Sequence, residues 1–165
     1  MKWDIEEARN TFKCLEELWN GRNIVIIEGA FSRLGVGNAC FAKSKRIKRI
    51  KRIIEPAKHS FEKYNDILKK ALSMDPNSLF ILAMGPSATA MAAELADSER
   101  QALYMGHLDV EFDWLRMKAK TKLPINGKIS NEAYLTKQAD SEVIGDPLKE
   151  DYKIYKSQII ADFSE

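Results

Sequence analysis

Hydrophobic positions recur along the chain in two alternating rhythms. In residues 4–20, Ile5, Ala8, Phe12, Leu15 and Trp19 fall three or four apart. That is the stripe of an amphipathic helix, with Asn20-Gly21 as its stop. Asn23-Ile24-Val25-Ile26-Ile27-Glu28 lacks polar alternation and predicts a strand covered on both faces. Residues 47–54 predict a second strand despite their charges, closed by Pro56. Phe61, Tyr64, Leu68 and Ala71 return to helical spacing over 60–74. Residues 79–84 predict a third buried strand, followed by Gly85-Pro86-Ser87 and an alanine-rich helix to Asp97, and 102–114 predict a fourth strand. Beyond it, 123–133 fit a hairpin through Asn126-Gly127, 140–147 fit a loop, and Tyr152, Tyr155 and Ile159 fit a last amphipathic helix. Strands separated by helices are the pattern of βαβ units. The fold class expected is therefore α/β, a mostly parallel sheet with right-handed crossovers.

Composition narrows the picture. A chain of 165 residues, 45% hydrophobic and 30% charged, suits a single domain over 1–165 with a core of its own. Twenty-six Lys and Arg against 24 Asp and Glu leave a net charge of +2, so any attraction to nucleic acid or anionic membrane must be local. Cys14 and Cys40 form neither a C-x-x-C pair nor a zinc-spaced set, which suits a reducing cytosol. The first residues are charged, unlike a secretory signal, and the apolar runs fall short of the roughly 18 residues of a membrane span. A cytoplasmic protein without a transmembrane segment, at most peripheral to the inner membrane face, is the expectation.

Ligands of open α/β sheets bind at the carboxyl ends of the strands, and three of these ends are unusual here. The first, Glu28-Gly29-Ala30-Phe31-Ser32-Arg33-Leu34-Gly35-Val36-Gly37-Asn38, has glycines that permit close backbone approach and an arginine suited to phosphate oxygens. It is neither G-x-G-x-x-G nor a P-loop, and a plain glycine-rich turn with a surface arginine explains it equally. After the third strand, Ser87 or Thr89 can cap a helix whose positive end favours an anion, although capping alone accounts for both.

Read as a strand, Gly106-His107-Leu108-Asp109-Val110-Glu111-Phe112-Asp113-Trp114 puts His107, Asp109, Glu111 and Asp113 on one face. Crowded carboxylates repel unless a cation joins them, and Asp109 and Glu111 at i and i+2 could supply oxygens to magnesium or manganese. A solvated acidic edge is the plain alternative.

Lys43, Lys45, Arg46, Lys48, Arg49, Lys51 and Arg52 make seven basic side chains in residues 43–52. A nucleic-acid or membrane patch is one reading. A solvated approach to a strand, with Ile47, Ile50 and Ile53 turned inward, is favoured because no exposed aromatics accompany the charges. His59 and Cys40 lie in no catalytic motif, and no G-x-S-x-G elbow occurs. A helix-start histidine and a small core cysteine are expected.

Taken together, Ile26-Ile27-Glu28-Gly29 with Ser32-Arg33-Leu34-Gly35-Val36-Gly37-Asn38, then Pro56-Ala57-Lys58, Gly85-Pro86-Ser87-Ala88-Thr89, Gly106-His107-Leu108-Asp109-Val110-Glu111 and Asn131-Glu132-Ala133 resemble the GT-D type bacterial glycosyltransferases. The resemblance spans about residues 15–162. It implies a Rossmann-like fold with helices on both sheet faces. It further implies a UDP-sugar donor, a glycan or glycoprotein acceptor in surface glycan synthesis, and a D-x-E pair, Asp109 and Glu111, that holds manganese or magnesium. Glu28, Ser32, Arg33, Gly35, Gly37, Asn38, Pro86, Ser87, Thr89 and His107 would line the nucleotide-sugar site. Asp113, Glu28 and Glu132, in that order, are the candidates for a base that deprotonates an acceptor. A partner glycosyltransferase is compatible with this reading; nucleic acid is not expected.

The chain departs from the family pattern at Ala39-Cys40, at His59-Ser60 and in the threefold Lys-Arg-Ile run. Longer relatives also carry a preceding segment with an Arg and a Gly-Asp-Gly-Glu motif, so a shortened form is expected. A non-catalytic UDP- or partner-binding module, and an RNA-binding protein using the basic run, are the competing readings.

Overall fold

The computed structural model describes residues 5–42, 47–57, 59–123, 125 and 149–164. Helix α1 (Ile5–Trp19) buries Trp19 and leads into strand β1 (Asn23–Gly29), whose residues Ile24 to Glu28 are all buried. A four-residue helix α2 (Ala39–Ala42) follows, then β2 (Arg49–Glu55), a 3-10 turn (Ser60–Lys63) and α3 (Tyr64–Leu72). Next come β3 (Leu79–Ala83), buried throughout, α4 (Ser87–Asp97) and β4 (Gln101–Tyr104). Helices α5 (Leu108–Met117) and α6 (Lys149–Gln158) and strand β5 (Ile159–Asp162) complete the described elements.

The sheet order is β4-β3-β1-β2-β5, and every pairing is parallel. β1 and β3 read as continuous apolar runs because both of their faces are covered. One core layer joins Val25, Ile27, Ile53, Phe80 and Leu82 to Ile67 and Ala71 of α3 and Met91 and Leu95 of α4. The opposite layer joins Ile24, Ile26, Leu79 and Ile81 to Trp19, Leu34 and Phe41, with Leu108 and Phe112 packed against it. Phe12 of α1 meets Phe112 of α5 edge-on at 5.0 Å. The order reverses between β1 and β3, so the crevice at their carboxyl ends is the topological switch point.

Four expectations are corrected. The fourth strand ends at Tyr104 rather than continuing to residue 114: Gly106 turns at φ 51° and α5 begins at Leu108. Its apolar residues also repeat at i+4, as Leu108/Phe112 and Val110/Trp114, so the run satisfies a helix once the glycine breaks the extended chain. Secondly, neither Ser87 nor Thr89 caps α4: Pro86 holds the cap position, the Ser87 hydroxyl donates to the Met84 carbonyl at 2.8 Å, and Thr89 is exposed. Thirdly, within the described part of the basic run Arg52 is buried, at 3% exposed, while Lys43, Lys45 and Arg46 lie outside the described residues. Fourthly, the last helix stops at Gln158, and Ile159 opens β5 against Arg52 of β2. The hairpin through Asn126-Gly127, the loop at 140–147 and Glu132 lie outside the described residues.

Candidate functional site

The turn after β1 is the centre of the site. Ala30 N–H donates to the Glu55 carbonyl at 3.1 Å, Ser32 N–H to Gly29 O at 2.9 Å and Val36 N–H to Arg33 O at 3.0 Å. Arg33, Gly35 and Gly37 all have left-handed backbone, at φ 47°, 76° and 75°. At Gly35 glycine is required twice over, since a Cβ there would stand 2.1 Å from Phe41 Cδ2.

Two sets of polar contacts fix this turn. From beneath, the fully buried Glu28 accepts the Leu34 N–H on Oε2 at 2.6 Å and pairs through Oε1 with Arg52 Nη1. Arg52 Nη2 donates to the Leu34 carbonyl at 3.0 Å and Nε donates to Gln158 Oε1 at 2.8 Å. The guanidinium also lies 5.0 Å from the Tyr155 ring centre, while Arg33 lies 5.6 Å from that of Tyr152. Burial pushes the Glu28 carboxyl above the ordinary carboxylate range; Arg52 and the Leu34 amide pull it back, and Asp109 adds to the rise. Burial likewise raises the Tyr155 phenol, with the Glu28 charge adding to it.

From the side, α5 reaches over the turn. Asp109, 1% exposed, accepts the Gly35 N–H on Oδ2 at 2.8 Å. Asn38 Nδ2 donates to the Asp109 carbonyl at 3.1 Å and to Asp113 Oδ2 at 2.9 Å, while its Oδ1 accepts the Cys40 N–H at 3.0 Å. His107 holds the N-cap position of α5 without a side-chain cap bond. Acidic residues in this first turn, Asp109 and Glu111, are favourably placed against the helix dipole.

The structure thus brings Glu28, Leu34, Gly35, Asn38, Asp109 and Asp113 together, with Arg33 on the same turn. It does not put Asp109 and Glu111 on one strand face. In a helix, residues two apart lie about 200° from one another around the axis, and the pair sharing a face is Asp109 and Asp113. Glu111 is exposed. Pro86 and Ser87 stand at the end of β3, across the switch point from β1.

Among the described residues no three His, Cys, Asp or Glu side chains gather as a metal cage. Asp109 is buried with Oδ2 on the Gly35 N–H, and Glu111 projects from another side of α5, so the two carboxylates do not converge on one point; Glu111 is the exposed one of the two.

Sequence reasoning missed Arg52, Tyr155 and Gln158 as fixtures of the turn. A signal existed: Glu28 ends an otherwise apolar strand, and a carboxylate there needs a buried cation.

The family described as glycosyltransferase GT-D fold matches residues 2–133. The glycosyltransferase GlyD of Streptococcus pneumoniae serotype 4 is 33% identical over 158 residues, which is 96% of this chain and 18% of that protein. The probable glycosyl transferase Gly of Streptococcus gordonii is 30% identical over 165 residues, 98% of this chain and 23% of that protein. A solved domain described as DUF1792 with a distinct glycosyltransferase fold superposes at TM-score 0.80 with 32% identity, covering 94% of this chain and 52% of that one. A DUF1792 glycosyltransferase from Streptococcus sanguinis does so at 0.78 and 29%, covering 94% and 54%. The chain therefore spans about half of the solved domains and about a fifth of the curated relatives. An all-parallel sheet with a pinned glycine turn at its switch point, together with these likenesses, makes this chain a member of the GT-D fold glycosyltransferase family.

Proposed function

We propose that this chain is a glycosyltransferase that moves a hexose, glucose in the first instance, from UDP to a glycan or glycoprotein acceptor in the cytoplasm, with a divalent cation. The observation that carries the reading is the glycine turn that carries Arg33, held from two sides at the carboxyl end of β1, at the switch point of the sheet. Chemically, the acceptor oxygen bonds to the anomeric carbon of the sugar. The bond from that carbon to the diphosphate breaks, its electron pair leaving on UDP, and the acceptor proton passes to a carboxylate if the reaction inverts. Asp113, half-buried with Oδ2 held by Asn38, is preferred for that proton over Glu28, whose oxygens are both engaged in the interior. When bound, manganese or magnesium supplies neutralising charge to the leaving diphosphate. Glu111 is open to reach such an ion, while Asp109 orients the turn beneath it. Arg33 and the N-terminus of α4 would hold phosphate oxygens.

Calorimetry with UDP and manganese tests the first step. Saturable, metal-dependent binding is expected, and its absence in the wild-type protein sinks the reading. The burial of Asp109 favours a second reading, a UDP- or partner-binding module without turnover. Metal-dependent release of UDP from UDP-glucose removes that alternative. The RNA-binding reading loses Arg52, which is committed to Glu28.

A further inference from the structure

On the face of β1 and β2 opposite Glu28 and Arg52, a second carboxyl underlies the same turn. Glu55 is the last residue of β2 and pairs in register with Gly29. It is 4% exposed, and its Oε2 is buried without a hydrogen-bond partner. Its Oε1 lies 3.9 Å from where a Cβ on Gly29 would stand, and its carbonyl accepts the Ala30 N–H. Glu55 thus touches the point where the glycine turn leaves the sheet with both backbone and side chain.

We propose that Glu55 is a positioning residue for this turn: neutral, it packs under Gly29 and keeps the turn in its donor-binding shape, and ionised, it displaces the turn and weakens donor binding. Donor binding is taken from the function proposed above, on which this inference rests. An ionised carboxyl here would keep its Ser60 hydrogen bond but find no donor at Oε2, so ionisation draws water in beside the backbone it pairs with, Gly29-Ala30.

Burial pushes the Glu55 carboxyl up to about 8, opposed by a hydrogen bond from Ser60. The titratable groups on the neighbouring elements include His59 at the cap of the 3-10 turn, Glu62 and Lys63 within it and Asp162 of β5, all exposed. α3 adds the buried Tyr64 phenol, itself raised by burial, and α4 adds the exposed Glu94.

The test compares wild type, Glu55→Gln and Glu55→Asp between about pH 6.5 and about pH 8.5. Amide chemical shifts of Ala30 and Ser32 are followed without ligand, and affinity for UDP-glucose with manganese is followed by calorimetry. UDP-glucose is chosen because its diphosphate stays fully ionised throughout. In wild type the two amides are expected to titrate near pH 8, and affinity to fall by up to about tenfold per pH unit above it. Glu55→Gln, which keeps the neutral shape, is expected to hold both constant, and Glu55→Asp to bind more weakly even near pH 7. Amides that do not titrate, or a pH profile that Glu55→Gln leaves unchanged, overturn the proposal. Failure of every variant to bind UDP-glucose at any pH overturns the donor reading and the donor half of this inference, while the amide titration still decides the positional half. Should Glu55→Gln not fold, the wild-type amide titration alone decides between the two outcomes.

Discussion

At Gly35 the backbone has φ 76° and an added Cβ would stand 2.1 Å from Phe41, so Gly35→Ala meets strain and collision together. We expect it to cost at least about 1–3 kcal/mol in denaturant unfolding. Gly29→Ala, where the new carbon finds only ordinary contact with Glu55, should stay within about 1 kcal/mol of wild type. The pair separates a glycine needed for shape from one that is merely present.

Glu28 and Arg52 are a buried ion pair whose partners include both polar backbone atoms of Leu34. Arg52→Met leaves a buried carboxylate unpaired and should cost about 3–5 kcal/mol, whereas combining it with Glu28→Leu should restore part of the loss. A double-mutant cycle by urea unfolding checks this. Glu55 carries the clearest pH dependence of stability. Its folded value of about 8 lies above the ordinary 4.5, so the folded protein holds this proton more tightly than the unfolded chain. Stability is therefore lost as pH rises from about 4.5 to about 8 and is level beyond. Melting temperatures of Glu55→Gln should exceed those of wild type by a margin that widens through this window.

Among the elements, α5 matters most to the site because it turns a run of alternating acids into two different tools. Asp109 faces inward onto Gly35 N–H, and Glu111 faces out. Asp109→Ala should therefore lower stability by about 1–3 kcal/mol, since the Gly35 amide loses its acceptor. Glu111→Ala should stay within about 0.5 kcal/mol and show its effect in manganese-dependent UDP affinity instead. Equal effects of the two substitutions in both assays would refute this division. Strands β1 and β3 were legible because strands covered on both faces demand uninterrupted apolar residues. α5 was not, because Leu108, Val110, Phe112 and Trp114 satisfy a period of two and a repeat of i+4 alike; only the turn at Gly106 decides between them. β5, four partly buried residues, has no signal of its own and exists because the edge of β2 is there to pair with it.

Across the whole molecule, the turn after β1 is gripped by pieces far apart in sequence: Arg52 on β2, Asp109 on α5, and Gln158 and Tyr155 on α6. Ending the chain at residue 148 would strip Arg52 of its Gln158 and Tyr155 contacts and leave β2 as an open edge. A lower unfolding midpoint and weakened UDP binding are expected together in calorimetry and urea titration. Stability lost without a change in binding would show that α6 merely covers the sheet. Among the described residues no helix is long and apolar enough to cross a membrane.

Local order alone determined that this chain forms a parallel α/β sheet, that its first and third strands lie inside, and that a glycine-rich turn follows β1. Those features are written in spacing, which neighbouring residues enforce on one another through sterics and burial. Which carboxylates share a face, that Arg52 turns inward to Glu28, and that Glu55 lies beneath Gly29 were decided by the tertiary structure. Each of these depends on contact between strands and helices whose separation in sequence carries no information about their separation in space. A buried charge shows its role only when the partner that compensates it, or the absence of one, is seen beside it.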